Sequence, residues 1–159
     1  MKTTDIHLFE DGSGGDFAIL NDDLLMAETL YQQIYLALFG GNIEASTKVS
    51  YLESEERFDY WGNSLIWSDS KTKQFNSETE RILGNVALNS SGRLSILQAV
   101  NTDLDYLKGV VNFTVEVAIL NVSRLSITVS FTEKTNQQDR LLQMVWDNSK
   151  NEIIINKII

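Results

Sequence analysis

The stretch that decides the fold reads VNFTVEVAILNVSRLSITVSFT, residues 111–132. Apolar and polar side chains alternate from Val111 to Ile119, and the alternation resumes at Leu125 after the turn residues Asn121-Val122-Ser123. Alternation with a period of two places apolar side chains on one face of a strand and polar ones on the other. The pattern predicts an antiparallel hairpin with one buried and one solvated face.

A second hairpin is predicted over residues 140–159, with strands Arg140–Trp146 and Glu152–Ile158 joined through residues 147–151. The last strand holds a run of isoleucines and is apolar on both faces. An exposed edge of this kind pairs readily with another chain. Two interpretations stay open: the strand is central in its own sheet, or a partner completes its edge by strand addition. Under the second, the partner-binding residues are Ile153, Ile155 and Ile158.

Helical patterns precede these strands. Ser77 and Glu80 fit a capping box for one helix, and the next is predicted from Arg93 to Lys108 after the breaker 89–92. The second helix has an apolar stripe of Leu94, Leu97, Val100, Leu104 and Leu107.

An earlier helix is predicted to begin with a capping box of Thr29 and Gln32 and to end at a left-handed Gly40. It is apolar over most of its circumference, so we expect it to be covered on more than one side.

The N-terminal segment resembles a small β unit. Residues 6–9 are a short strand candidate, and Asn21-Asp22-Asp23 has the composition of a tight hairpin turn between residues 17–20 and 24–26. The chain is therefore predicted to be α+β: an N-terminal β-hairpin, about three helices and C-terminal antiparallel strands. At 159 residues it is predicted to form a single domain.

An irregular loop is predicted at about residues 40–76. It is acidic and contains an aromatic cluster, in which Tyr60, Trp61 and Trp67 stand out. Large aromatic side chains in such a loop either pin it to the core or contact a partner. These three residues are the candidate partner contacts outside the terminal strand.

Composition excludes several classes of function. The chain has no cysteine, a single histidine (His7) and a formal net charge of −9. Disulfides and thiolate chemistry are excluded, and the charge disfavours nucleic acid. The acidic start predicts no signal peptide, and no apolar stretch approaches the length of a membrane helix.

No spacing in the chain predicts catalysis. Glu53, Glu55 and Glu56 offer carboxylates for an acid-pair hydrolase, but a polar loop would leave them ionised. The loop Asp11–Asp16 lacks the ligand spacing of a calcium site, and no phosphate-binding glycine motif occurs. We therefore predict no catalytic, cofactor or metal site.

Three stretches carry a family resemblance: residues 30–39 (LYQQIYLALF), Tyr60-Trp61-Gly62-Asn63, and residues 104–111 (LDYLKGVV). Their order and spacing over residues 5–133 resemble the Mu-type phage baseplate family, with the Trp61-Gly62 pair the most specific point. That family resembles the small wedge subunit of contractile tails, whose fold is related to the handshake domain of tail-sheath proteins.

The resemblance implies a structural, non-enzymatic part of the virion. It implies six copies around a baseplate, each touching the larger wedge subunits and the first ring of tail sheath. The net charge and the lack of a membrane-length apolar stretch predict neither nucleic acid nor membrane as a partner. Two other functions stay open: a peptidoglycan hydrolase using the glutamates of the loop, and a free acidic module that binds a basic protein.

Overall fold

The computed structural model describes residues 4–10, 15–41, 68–69, 73–135 and 137–158. It confirms the predicted α+β class, with three α-helices and several antiparallel sheets among these residues. The chain divides into two compact units, residues 1–80 and 81–159.

The first unit contains six short strands and one helix in its described part. These are β1 (Thr4–Ile6), β2 (Leu8–Glu10), β3 (Gly15–Phe17), β4 (Ile19–Leu20), β5 (Asp23–Leu24), β6 (Met26–Glu28) and α1 (Thr29–Phe39). Helix α2 (Glu78–Asn85) spans the boundary between the units. The second unit continues with α3 (Ser90–Asp103), a 3₁₀ helix (Asp105–Gly109), β7 (Val111–Ile119), β8 (Arg124–Glu133), β9 (Asp139–Asp147) and β10 (Glu152–Ile158).

Strands β1–β6 form three two-stranded ladders that meet at one junction. The ladders pair β1 with β6, β2 with β3 and β4 with β5, all antiparallel. At the junction the His7 amide donates to the Leu25 carbonyl (2.8 Å) and the Leu25 amide to the Ala18 carbonyl (2.8 Å). The Ala18 amide donates back to the His7 carbonyl (3.0 Å), which closes the ring. Each chain segment thus changes partner at the junction without losing a main-chain hydrogen bond there.

The hairpin of β4 and β5 confirms the turn predicted from Asn21-Asp22-Asp23. Leu20 pairs with Asp23, so the loop itself is only Asn21 and Asp22. Their φ angles are 53° and 65°, the left-handed pair that a tight type I′ hairpin needs and that Asn and Asp tolerate. Asp23 belongs to β5 and not to the turn.

The predicted capping box at the start of α1 is wrong. The N-cap is Glu28, whose extended backbone still pairs with Thr4 in the ladder, and its side chain makes no capping hydrogen bond. Thr29 is already helical and cannot occupy the N-cap position. The prediction that this helix is covered on more than one side is confirmed, because seven of its eleven residues are buried.

Gly40 ends α1 with a φ of −89°, so the predicted left-handed cap is also wrong. The positive φ (111°) belongs to Gly41. Gly40 instead lets the Phe75 side chain pack closely against the backbone, because a Cβ on residue 40 would lie 2.8 Å from the Cβ of Phe75.

The start of α2 is tied to the end of α1. Ser77 Oγ accepts from the Glu80 amide (3.0 Å), which confirms the Ser77 half of the predicted capping box. Glu80 Oε2 accepts from the Gly41 amide (3.1 Å), and the Ser77 amide donates to the Gly41 carbonyl (2.5 Å). The Ser77 hydroxyl also donates to the Leu38 carbonyl. Residues 41 and 77 therefore lie side by side.

Helix α3 begins earlier than predicted, because Asn89 acts as its N-cap and not as a breaker. Asn89 Oδ1 accepts from the Gly92 amide (2.9 Å). Three residues of the predicted stripe are buried, Val100, Leu104 and Leu107, whereas Leu94 is 55% exposed. Ile96 and Ala99 are buried in addition. The predicted run to Lys108 divides into α3 and the 3₁₀ helix.

The second unit is built on a four-stranded antiparallel sheet in the order β10-β9-β8-β7. Both predicted hairpins are confirmed. Helix α3 packs against β7, where Arg93 Nη1 reaches the Val117 carbonyl (3.5 Å). The apolar face of the central strands is buried, through Leu125, Ile127, Val129, Phe131, Leu142, Met144 and Trp146. The polar face is less solvated than predicted, since Ser126 is buried beside its register partner Val145.

Replacing either of two helical glycines, Gly84 and Gly92, by alanine should change the free energy of unfolding, and the two changes should have opposite signs. Among the described residues, a Cβ on Gly84 would meet only Asn151 Oδ1, at an ordinary 3.6 Å, so Gly84→Ala should raise the free energy of unfolding by up to about 1 kcal/mol. A Cβ on Gly92 would overlap the Ala87 carbonyl oxygen, so Gly92→Ala should lower it by about 1–3 kcal/mol. Denaturant unfolding of both variants measures the two signs. A stabilising Gly92→Ala would show that the turn before α3 is not as described.

Candidate functional site at the edge of the C-terminal sheet

Strand β10 lies at the edge of the four-stranded sheet. It pairs with β9 on one side, and no other strand of the described residues pairs with it. The interpretation that placed this strand in the centre of its sheet is therefore wrong for the described chain. The predicted contact residues Ile153, Ile155 and Ile158 all belong to this edge strand.

A β-bulge interrupts the edge near its start. Ile153 pairs with Trp146, whereas Ile155 pairs with Val145, so Ile154 is the additional residue on the β10 side. From 155 to 158 the pairing is regular again. A bulge limits pairing at a sheet edge, so the segment open to a fifth strand is short, residues 155–158.

The turn before β10 is anchored on the preceding hairpin through Asp147. Its Oδ2 accepts from Arg124 Nε (2.8 Å), and its Oδ1 accepts from the Ser149 amide (3.0 Å) and hydroxyl (2.5 Å). The Asn148 amide donates to the Ser123 carbonyl (2.7 Å), which binds the same turn to the one between β7 and β8. Asn151 takes the left-handed conformation (φ 57°) that leads the chain into β10. These bonds fix where the edge strand begins.

The same contacts set the charge of the anchor. The hydrogen bond from the Ser149 side chain and the one from Arg124 lower the pKa of Asp147 to about 2. Asp147 therefore stays ionised in the folded protein well below the ordinary pKa of an aspartate, about 3.9.

Asp147→Asn should lower the thermal unfolding midpoint, and the loss should depend on pH. The folded-state pKa is depressed, so the stabilisation is present above about pH 4 and disappears as pH falls toward 2. The midpoints of the variant and the native chain should therefore differ most near neutral pH and converge toward pH 2. Asp105→Asn is the matched control, because it removes a carboxylate from an exposed ion pair with Lys108 and should change the midpoint little. A difference that is the same at every pH would contradict the role of the carboxylate.

A shallow cavity of about 620 Å³ lies at one end of the same sheet. It is lined by Asn112, Phe113, Thr114, Ser130, Phe131, Thr132, Asp139, Arg140 and Leu141. Thr132 Oγ1 donates to Asp139 Oδ1 (2.6 Å). Arg140 Nη1 lies 3.6 Å from Glu133 Oε1 and forms an ion pair with it. Asp139 is the one acid among the described lining residues, so these residues do not supply the two carboxylates of a glycosidase.

Several predicted site residues lie outside the described residues: Tyr60, Trp61 and Trp67, the glutamates Glu53, Glu55 and Glu56, and positions 11–14 of the loop Asp11–Asp16. His7 is described, and partial burial lowers the pKa of its imidazole. In the part of the chain that the structure describes, no three His, Asp or Glu side chains are grouped to hold a metal ion. Within the same ranges no helix has the length and apolarity to cross a membrane.

The sequence patterns missed one surface. The hairpin of β4 and β5 was predicted, but the exposure of Ile19, Leu20 and Leu24 on it was not. Apolar residues beside a tight turn indicate a hairpin equally well whether its faces are buried or open, so the pattern held no signal for the exposure.

Comparisons with models of protein families, with curated proteins and with solved structures found no match to this chain.

Proposed function

We propose that the protein is a structural wedge subunit of a contractile phage-tail baseplate, which joins its neighbours by accepting a strand at the edge of β10. The observation that carries this proposal is the place of β10 at the edge of its sheet. One side of the strand pairs with β9, and this pairing is regular from residue 155 to residue 158. The resemblance over residues 5–133 supports the baseplate, the larger wedge proteins and the tail sheath as the setting.

Strand addition suits such a joint for a physical reason. An added strand forms main-chain hydrogen bonds that do not depend on side-chain identity, so it holds a chain in place while other contacts change. The anchor at Asp147 supports this role, because it fixes the turn and hence the position of the edge that a partner must meet. The regular segment, residues 155–158, is short, so the added strand can pair with only a few residues of β10.

A place in a baseplate also implies a copy number and a purely structural role for the subunit. The subunit would be present in six copies in the virion and would have no catalytic role, cofactor or metal. The net charge of −9 disfavours a phosphate backbone or an anionic membrane surface as its partner.

Hydrogen exchange tests the proposed joint directly. The chain is mixed with the larger wedge and sheath proteins encoded in the same genome, and amide exchange is measured with and without them. We expect exchange at residues 155–158 to slow in the complex. Strand β7 is the built-in control, because it forms the opposite edge of the same sheet and should exchange as before.

Two results would contradict the proposal. Slowing at β7 with none at β10 would place the joint at the other edge of the sheet. Turnover of purified cell-wall material, lost on Glu53→Gln, Glu55→Gln or Glu56→Gln, would show the hydrolase instead.

A further inference from the structure

We infer that the hairpin arm formed by β4 and β5, residues 19–24, inserts into an apolar groove of a different protein, and that Lys or Arg residues rim this groove. This inference goes beyond the proposed function, because it concerns another surface, in the first unit, and does not require a baseplate. It rests on the exposure, the strand pairing and the charge of the arm.

The arm is apolar on both of its faces. Ile19 pairs directly with Leu24, which puts these two side chains on one face, and they are 69% and 45% exposed. Leu20 pairs with Asp23 on the other face and is 57% exposed. Near the base of the arm, Phe17 and Met26 are exposed as well. A cluster of large exposed apolar side chains on a folded domain marks an interaction site.

The shape of the arm favours insertion over flat docking. It is a two-stranded ladder closed by the two-residue turn Asn21-Asp22, and a lone two-stranded hairpin is at best marginally stable in water. Its root is held by the ring of hydrogen bonds at His7, Ala18 and Leu25. A ribbon with apolar side chains on both faces buries all of them only when a partner covers it from two sides.

Charge identifies the kind of partner. Residues 4–41 contain seven acidic residues and neither Lys nor Arg, so this segment carries −7 of the chain's formal −9. Asp22 and Asp23 lie at the tip of the arm and are exposed. A groove with a basic rim complements this tip, whereas a second copy of the same acidic arm or an anionic membrane repels it.

The test uses a defined probe, a labelled two-helix peptide of Leu and Lys whose two apolar faces can cover the arm from both sides, and follows its binding by fluorescence anisotropy. The full chain should bind this peptide with an affinity that falls as salt rises. A Leu and Glu peptide of the same pattern should not bind. The triple variant Ile19→Ser, Leu20→Ser, Leu24→Ser should weaken binding by about tenfold or more.

A matched variant controls for general stickiness. Leu94→Ser, Leu120→Ser, Val122→Ser removes three exposed apolar side chains from the second unit and should bind like the native chain. The charge variant Asp22→Asn, Asp23→Asn keeps residues that tolerate the turn, and it should weaken binding and flatten its salt dependence. This variant decides the question if the serine variant fails to fold.

Four results would overturn the inference. Equal binding of the two peptides would remove the role of charge, and equal binding of the serine variant and its control would remove the role of the arm. Self-association that the serine variant abolishes would make a second copy the occupant. Binding of the arm to neutral lipid vesicles in place of the peptide would make a membrane the occupant.

Discussion

The position of the last strand of the second unit depends on one buried carboxylate. Asp147 ends β9, and it accepts hydrogen bonds from Arg124 at the start of β8 and from Ser149 in the following turn. It thereby ties the second hairpin to the first at the point where the chain turns into β10. The depressed pKa of Asp147 reflects these contacts. This anchor adds to the ladder with β9 and to the bond from the Asn148 amide to the Ser123 carbonyl in setting where the last strand begins.

A sheet edge leaves main-chain donors and acceptors without strand partners, and proteins usually blunt it or cover it. Here the edge is blunted in part. The bulge at Ile154 shortens the usable edge, yet residues 155–158 keep regular pairing on the inner side. An edge that is partly blunted and still regular over four residues fits a specific local joint better than unrestricted pairing.

The strands of the first unit are only two or three residues long, so each two-stranded ladder by itself is at best marginally stable. The ring of amide–carbonyl bonds at His7, Ala18 and Leu25 lets three such ladders share one root, and it leaves an arm with exposed apolar side chains.

Much of the fold could be predicted from the sequence, because a period of two is a direct consequence of strand geometry. Both C-terminal hairpins and the Asn21-Asp22 turn follow from local patterns of this kind. The bulge could not be predicted, because one additional residue inside an isoleucine run leaves the pattern unchanged. The start of α3 was missed because Asn89 suits a breaker and an N-cap equally. Whether β10 is central or at an edge depends on strand order, which is set by long-range packing and not by any local pattern. The aromatic contacts predicted at Tyr60, Trp61 and Trp67 fall outside the described residues and stay predictions.

The most direct measurement of the proposed joint is the density around residues 155–158 in an assembled particle, obtained by electron cryo-microscopy. We expect a strand from another chain to run beside β10, hydrogen-bonded to it through the main chain and extending the sheet to five strands. A subunit held in the particle by other surfaces, with the outer edge of β10 facing solvent, would contradict strand addition.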